Sequence, residues 1–333
     1  MLIPEYSISN KILNLISEIE RSRGYIENTF VLPFAQNSLK KEAKEKKVFH
    51  LLQLEDFELS LTELKRYLDS ISPHLDPGIH SILEFILNLD SISKLKIPFE
   101  KKSKLINEKL TKSNISFRIK KVPNKTNPEE ILAKMTELFG WVESEDAKNT
   151  HPLIVSAIIL AFMEKIMPFE KYSSLSSHLS SEIYLLSNGY AVIEMVPHQE
   201  NLNLKRYKFS DSLNYIDQTE DYTEWLEFYL ENIHYQINIL RDKYKLLERQ
   251  SKEAKIPSVE SLTARQQRIY QYLLDYKILQ NSSFALLFPD LSEDSILRDL
   301  KILLDKELII KTGKTKSSRY ELKHWYNLNN ETR

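Results

Sequence analysis

The sequence predicts a mainly α-helical protein in two parts. Through most of the first 250 residues, apolar side chains recur every three to four positions, which is the spacing of one face of a helix. A charged segment that ends at Pro257 interrupts this pattern. Beyond it, helical patterns give way to two short runs typical of β-strands. We therefore expect a helical domain over residues 1–252 and a smaller mixed domain over residues 258–324.

Composition excludes several classes of enzyme. The 333 residues include only five glycines, and no two of them lie close together. Phosphate loops, dinucleotide-binding turns and nucleophile elbows all need closely spaced glycines, so P-loop NTPases, Rossmann dehydrogenases, protein kinases and α/β-hydrolases are excluded. The chain has no cysteine, which excludes disulfides and cysteine-type zinc sites.

Charge and hydropathy predict the compartment of the protein and its contacts with nucleic acid and membrane. The net charge is −1, from 46 Lys+Arg and 47 Asp+Glu, so any contact with nucleic acid must come from a local patch. The first residues lack the basic and apolar regions of a signal peptide. The longest apolar run, residues 153–163, is too short to span a bilayer. We expect a cytoplasmic protein with no membrane contact.

Helical patterns account for most of the first domain. Asn127-Pro128-Glu129 starts one of them, because proline suits the first helical turn and an acid suits its positive end. Residues 116–122 alternate polar and apolar side chains as a strand does, and Pro123 ends this segment. The predicted helices cover residues 8–27, 48–71, 79–95, 129–141 and 152–167.

A long helix is predicted after Tyr222. Its apolar residues step alternately by four and three positions, which is the spacing of a coiled-coil seam. The seam either packs against its own domain or joins two copies in a homodimer. It comprises Leu226, Leu230, Ile233, Ile237, Leu240, Tyr244 and Leu247.

The second part of the chain predicts a winged helix-turn-helix. Three helical patterns precede two strand patterns, which flank a basic loop after Gly313. Ser292 suits the N-cap of the third helix. Such domains place their last helix in the major groove of DNA. The helices are predicted over residues 263–277, 282–288 and 292–307, and the strands over 308–312 and 319–322.

A resemblance to the Fic (Fido) family lies in the run from His151 to Tyr190, HPLIVSAIILAFMEKIMPFEKYSSLSSHLSSEIYLLSNGY. Members carry a similar helix that opens with His-Pro-Leu, then the signature His-Pro-Phe-x-[Asp/Glu]-Gly-Asn-Gly-Arg-x-x-Arg and a second buried helix. Active members transfer AMP from ATP to a hydroxyl side chain of a target protein. The resemblance implies a helical bundle with a small flap β-hairpin, and a C-terminal winged helix is a common attachment in this family.

Two further segments are similar to functional parts of the family. The segment near residues 115–123 looks like the flap that clamps the target, with Phe117, Arg118 and Val122 as its residues. The segment around Glu27 is similar to an inhibitory helix. In that helix a glutamate blocks the nucleotide by pairing with the second arginine of the signature.

The signature is replaced at the positions that carry its chemistry. A thioether cannot accept a proton as the histidine does, an ammonium group repels Mg²⁺, and neither leucine nor histidine offers the guanidinium fork that holds phosphates. We therefore expect no catalytic residue, no metal site and no cofactor. By the resemblance, the catalytic histidine is Met167, the acidic magnesium ligand is Lys171, the Gly-Asn-Gly is Tyr172-Ser173-Ser174, and the two arginines are Leu175 and His178.

Three functions stay open. The first is a catalytically degenerate Fic-like protein that regulates through double-stranded DNA, with its Fic-like part as a sensing or docking platform. The second is a divergent nucleotidyltransferase that uses ATP and Mg²⁺ in a retuned site. The third is a protein-binding scaffold. A retuned site would draw its ligand or phosphate contacts from Lys171, Ser173, Ser174 and His178.

DNA would be contacted by the last helix and the basic loop that follows it. Glu293 and Asp294, at the start of that helix, would repel phosphate, although acids there also stabilise the positive end of a helix. The alternative use of this domain is protein interaction or dimerisation. The candidate DNA-binding residues are Ser295, Arg298, Lys301, Lys314, Lys316 and Arg319.

Overall fold

The structure of the chain is a computed structural model. It describes residues 4–29, 31, 33–55, 57–69, 77–114, 117–123, 125–253, 262–276, 278–284, 288, 291–313 and 318–323. The chain divides into two units. Met1–Asn28 and Lys40–Arg241 make up the first unit, and Thr29–Leu39 and Asp242–Arg333 make up the second.

Helices dominate the described residues before position 254, as the sequence predicts. None of the helices described is long and apolar enough to cross a bilayer. In chain order the helices are α1 (Asn10–Asn28), α2 (Pro33–Gln53), α3 (Leu61–Asp69), α4 (Pro77–Leu87), α5 (Leu89–Ser93), α6 (Phe99–Thr111), α7 (Pro128–Val142), α8 (Glu145–Asn149), α9 (Pro152–Ile166), α10 (Ser173–Ser187), α11 (His198–Leu204), α12 (Arg206–Thr219) and α13 (Thr223–Glu253).

Two helices, α9 and α10, form the centre of the first unit, where α10 packs against α9, α6 and α5. Almost every side chain of α9 and α10 is buried. α9 is apolar on nearly all sides, and such a helix is expected to be enclosed in this way. Buried hydroxyl groups join these helices to α13: Ser156 lies 2.8 Å from Ser181 and 2.9 Å from Tyr229. The three hydroxyls therefore satisfy one another in the interior.

The boundaries of α9 lie close to the predicted ones. His151 caps its start, because Nδ1 accepts a hydrogen bond from the Leu153 N–H at 3.4 Å, and Pro152 occupies the first turn. The helix ends at Ile166. Met167 follows in a left-handed conformation with φ of 49°.

Two predicted helices are each divided in the structure. The pattern over residues 48–71 contains the end of α2 and all of α3, because Ser60 and Glu63 form a capping box that starts a new helix. The Ser60 N–H donates to the Glu63 carboxylate at 2.9 Å, and the Glu63 N–H donates to Ser60 Oγ at 3.2 Å. The pattern over residues 79–95 contains α4 and α5, which meet at Asn88.

The predicted strand over residues 116–122 is reduced to a single bridge in its described part. Within residues 117–123, only Phe117 pairs as a strand does, in an antiparallel bridge to Phe169. The burial of the side chains does not follow the alternation of polar and apolar residues. Arg118 is buried, whereas the apolar Ile119 is 80% exposed. The segment therefore does not present an apolar face to a core.

The second unit combines two described α-helices with a three-stranded antiparallel sheet. The helices are α14 (Ala264–Tyr276) and α15 (Glu293–Asp305). The strand order is β1–β3–β2, so the predicted hairpin of β2 and β3 is present and β1 is an additional strand on its other side. The strands are β1 (Ile278–Gln280), β2 (Ile309–Thr312) and β3 (Arg319–Leu322).

One apolar core holds the second unit together. Ile269 and Leu273 of α14 pack with Ile296 and Leu300 of α15 and with Tyr320 of β3. Ser292 caps α15 as predicted, and its Oγ accepts the Ser295 N–H at 3.3 Å. The helix predicted over residues 282–288 is described only in part, as a 3-10 turn at Asn281–Ser283, and residues 285–287 lie outside the described residues.

The coiled-coil spacing of α13 serves packing within the chain. Six residues of the seam are at most 4% exposed in a single copy, so their side chains cannot also pack against a second copy. These residues are Leu226, Leu230, Ile233, Ile237, Leu240 and Tyr244.

Candidate functional site

The residues that resemble the family signature begin in the loop between α9 and α10, residues 167–172. Both ends of this loop are left-handed: φ is 49° at Met167 and 53° at Tyr172. Residues other than glycine rarely adopt this conformation, so the surroundings must hold it in place. The Met167 N–H donates to the Met163 carbonyl at 2.8 Å, and the Tyr172 ring stacks on Phe57 with centroids 6.4 Å apart.

Arg118 fixes the first half of the loop. Its side chain is buried, and it donates from Nε to the Met167 carbonyl and from Nη2 to the Ile166 carbonyl, both at 3.0 Å. Nη2 also donates to the Thr126 carbonyl at 2.6 Å, and the Arg118 N–H donates to the Pro168 carbonyl at 2.9 Å. A charged donor thus satisfies carbonyl groups at the end of α9. Arg118 therefore tethers the segment 117–123 to the loop 167–172.

The other two predicted flap residues also lie beside the loop or near it. Phe117 stacks on Phe169 with centroids 5.9 Å apart and planes 7° from parallel. Val122 is half-buried. The exposed apolar residue of this segment is Ile119, which sequence reasoning did not select because it stands among charged residues.

The start of α10 is already occupied by a carboxylate of the chain. Glu55 accepts the Leu175 N–H at 3.0 Å. N–H groups at a helix start point outward and attract anions, which is how such helices bind phosphate. Ser173 Oγ accepts the Phe169 N–H at 3.2 Å, and Ser174 Oγ donates to Glu164 at 2.6 Å. The Leu175 N–H and the hydroxyl groups of Ser173 and Ser174 are therefore used within the protein.

The four residues predicted as ligand contacts do not converge on one point. Lys171 is exposed, and its carbonyl accepts from the Asn107 amide at 2.9 Å. Ser173 is buried and closes the loop. Only Ser174 and His178 line the same cavity. They lie four residues apart on α10 and therefore on one face of the helix.

His178 is a buried histidine with unusual surroundings. It is 1% exposed, and its ring stacks on Phe209 at 6.1 Å. Neither ring nitrogen has a hydrogen-bond partner in the part of the chain that the structure describes. Burial, together with the nearby His198, lowers the pKa of His178 to about 3. The imidazole is therefore neutral and does not replace the charge of an arginine.

A cavity of about 350 Å³ opens beside His178, and we call it the His178 cavity. Its apolar wall includes Leu202, Phe209 and Leu213. A larger and more open groove of about 680 Å³ has α4 and α6 residues in its lining and contains no residue of the loop or of α10. The charged residues that line the His178 cavity are Lys125, Glu164, Lys165, Arg206 and Asp217.

Glu164 is the functional candidate that sequence reasoning missed. It is buried, and burial raises the pKa of its carboxyl, against the hydrogen bond from Ser174 and the positive charge of Lys125. The signal was visible, because a lone acid in the apolar run of α9 is a charge placed in a core. The partners Lys125 and Arg206 could not be found in this way, because distant segments bring them to the cavity.

Comparisons with known proteins identify the fold of the chain. No protein-family model matches the sequence, and no curated protein matches it. A Fic family protein from Desulfovibrio desulfuricans G20 superposes with a TM-score of 0.61 at 17% identity, over 96% of this chain and 98% of that chain. Fic-1 from C. elegans superposes with a TM-score of 0.53 at 14% identity, over 72% of each chain. The chain has the Fic fold.

Glu27, which the sequence predicts as an inhibitory-helix glutamate, takes part in a surface ion pair. Glu27 accepts from Arg23 Nε at 3.0 Å, four residues earlier on α1. Arg23 also donates to the Gly189 carbonyl at 2.8 Å and lies over the Tyr190 ring. Exposed pairs of this kind contribute little to stability. The resemblance implies that such a glutamate pairs with the second arginine of the signature, and His178 stands at that position.

The candidate DNA-binding residues belong to the second unit. Arg298 and Lys301 are exposed on α15, and Arg319 is exposed on β3. Ser295 is half-buried and accepts from the Ser292 hydroxyl at 2.8 Å, so the cap uses it. The remaining two candidates, Lys314 and Lys316, lie outside the described residues.

An internal ion pair orients α15. Asp299 is 1% exposed and pairs with Arg265 of α14, and it also accepts from the Gln266 amide at 3.1 Å. Because Asp299 points inward, Arg298 and Lys301 are turned toward solvent, one residue before it and two after it. The sequence did not reveal this pair, since it requires knowing which helix faces α15.

Proposed function

We propose that this protein is a non-catalytic regulator with the Fic fold that binds double-stranded DNA through its second unit. The proposal rests mainly on one observation. Arg298 and Lys301 are exposed on α15, directly before the antiparallel hairpin of β2 and β3. Helices followed by such a hairpin match the winged-helix arrangement, in which the last helix enters the major groove and the wing contacts phosphates. The first unit then serves as a sensing or docking platform.

The surroundings of the signature positions support a role without catalysis. Met167 offers no base, and Glu55 already binds the N–H group of Leu175 at the helix start. His178 is buried and neutral, so it cannot hold a phosphate by charge. A transfer reaction needs these groups together, because they act as a unit in stabilising one transition state.

The rigid mounting of α15 supports DNA contact. The Asp299–Arg265 pair and the core residues around Ile296 hold α15 against α14. A recognition helix must be held in this way, since its side chains read base edges only in a fixed orientation. The exposed acids Glu293 and Asp294 act against phosphate contact at the first turn, so we assign base contact to Arg298 and Lys301 in the middle of the helix.

DNA binding by the full chain tests this proposal. Fluorescence anisotropy would compare duplex from upstream of the protein's own gene with scrambled duplex, at about 50 and about 200 mM salt. We expect tighter binding to the upstream duplex, and at least about tenfold weaker binding for the double variant Arg298→Ala/Lys301→Ala. Lys101→Ala/Lys134→Ala is the matched control, because it removes the same charge from exposed positions of the first unit.

Two outcomes would contradict DNA binding. One is no binding to either duplex at low salt, which would leave the second unit as a protein-interaction module. The other is an equal loss of DNA affinity for the α15 variant and the control variant. This result would mean that only the net charge of the protein affects binding.

A further inference from the structure

We propose that the His178 cavity binds a small hydroxycarboxylate with a single negative charge. The inference names the ligand class for the sensing role in the proposed function, and its binding test requires no DNA. It rests on three features: an unpartnered buried imidazole, one uncancelled positive charge and a cavity of small size.

The imidazole of His178 supplies the first feature. It lines the cavity, it is 1% exposed, and both of its nitrogens lack partners among the described residues. A neutral imidazole has one N–H donor and one acceptor nitrogen. Leaving both unmet in the interior costs free energy, so a ligand group that reaches a ring nitrogen from the cavity would stabilise the protein. A hydroxyl group, which both donates and accepts, suits either nitrogen.

Charge supplies the second feature. Lys165 and Asp217 pair at 2.8 Å and cancel each other. Lys125 Nζ donates to the Glu164 carbonyl at 2.9 Å, and its charge lies near the Glu164 carboxyl. Arg206 is exposed at the cavity, and its charge also acts on the Glu164 carboxyl, but it makes no salt bridge with another described residue. Its guanidinium fork matches a carboxylate in two parallel hydrogen bonds.

The balance of charges favours a monoanion over a phosphate. Three cations (Lys125, Lys165 and Arg206) and two acids (Glu164 and Asp217) leave one excess positive charge. A phosphate monoester or a nucleotide carries more negative charge than this lining offsets. The N–H group of Leu175, which would assist a phosphate, is bonded to Glu55.

Size and lining supply the third feature. The volume of about 350 Å³ lies at the small end of the range for ligand pockets. Leu202, Phe209 and Leu213 give the cavity an apolar part beside its charged and polar groups. A short carbon chain that carries a carboxylate for Arg206 and a hydroxyl for His178 satisfies all three features.

Calorimetric titration of the full chain tests the proposal, with L-lactate and 3-hydroxybutyrate as probes. Propionate and butyrate are matched controls without the hydroxyl, and lactamide is the control without the charge. Inorganic phosphate and ATP complete the set. We expect the hydroxycarboxylates to bind at least about tenfold more tightly than each control, because buried polar sites reject analogues that leave them unpaired.

Two variants and one spectroscopic signal locate the binding. Arg206→Ala should weaken hydroxycarboxylate binding at least about tenfold, whereas Lys205→Ala, which removes the adjacent exposed charge outside the lining, should leave it unchanged. Ser210→Tyr should block the cavity from an exposed lining position without altering the core. The ¹⁵N resonances of the His178 ring should shift on binding, which a distant site would not cause.

Several results would overturn the assignment. These are no binding of either hydroxycarboxylate, equal binding of propionate or butyrate, tighter binding of phosphate or ATP, or unchanged binding by Arg206→Ala. A failure of the DNA experiment leaves these titrations unaffected. Binding in the cavity without any effect on DNA affinity would remove the sensing role and keep the binding site.

Discussion

His178 shows how much one residue depends on its surroundings. On a helix, positions 174 and 178 lie on the same face, so the sequence places Ser174 and His178 together. It does not show that Phe209 and the cavity enclose this face. Lys171 and Ser173 precede or begin the helix, and loop conformation decides where they point. The sequence therefore indicates that two of the four predicted residues share one face, and it could not place the other two.

The free energy of unfolding should depend on pH because His178 is buried. Burial lowers the pKa of His178 and of His198 to about 3 in the folded protein, against about 6.5 when unfolded. Below about pH 6.5 the unfolded chain therefore binds more protons, and the free energy of unfolding falls as the pH falls. His178→Leu should reduce the slope between pH 5 and 6 by about 1 kcal/mol per pH unit.

Urea unfolding at several pH values measures this slope. His80→Ala is the control, because it removes an exposed histidine. An unchanged slope in His178→Leu would mean that His178 gains a proton in the folded state at these pH values, and hence that water or another group reaches its ring.

Among the elements, the segment 117–123 and the loop 167–172 form one structural feature through Arg118. We expect Arg118→Ala to lower the free energy of unfolding by about 3 kcal/mol, because several carbonyl groups at the end of α9 lose a charged donor in a buried place. Arg118→Lys should restore only part of this loss, since one ammonium group cannot reach acceptors on several sides.

Chemical denaturation measures the effect, with Lys120→Ala as the control at an exposed neighbouring position. Equal stability of Arg118→Ala and Lys120→Ala would show that the tether contributes nothing. Faster amide exchange at Met167 and Phe169 in Arg118→Ala would localise the effect in the loop.

Some element boundaries were readable and others were not. The sequence Ser60-Leu-Thr-Glu63 is a capping box, and it marks the start of α3 inside a run that periodicity alone treats as one helix. β1 carries no comparable signal, because three residues are too few for alternation to be recognised. Only its pairing with β3, in which Leu279 lies opposite Tyr320, gives it strand geometry.

At the scale of the whole molecule, two parts of different composition were predictable and their exact membership was not. Helical periodicity followed by a hairpin pattern indicated a helical part and a smaller mixed part. The grouping of Thr29–Leu39 with the second unit depends on contacts between residues more than 200 positions apart in sequence, which a local pattern cannot contain. The Fic fold itself is established by the match to solved structures over 96% of the chain.

The molecule should transfer no AMP, and restoring one residue should not change this. We expect neither the wild-type chain nor Met167→His to form an adenylylated product with ATP and Mg²⁺, on itself or on added protein. A base alone accounts for only about 10²–10⁴ in rate, and the carboxylate and guanidinium positions stay substituted. Intact-mass spectrometry after incubation is the measurement, and a Fic family protein with the full signature is the positive control. An AMP adduct on the wild-type chain would contradict the non-catalytic role.

The carboxylate of Glu55 bears on any attempt to redesign this protein. It lies just after α2, outside the loop and outside α10, yet it accepts the Leu175 N–H in the first turn of α10, where free N–H groups attract anions. Rebuilding every signature residue between Met167 and His178 would leave this carboxylate in place, as an intramolecular competitor for an anion at the same N–H group. A redesign toward an ATP-using enzyme would therefore have to change Glu55 as well, in a segment outside the family signature.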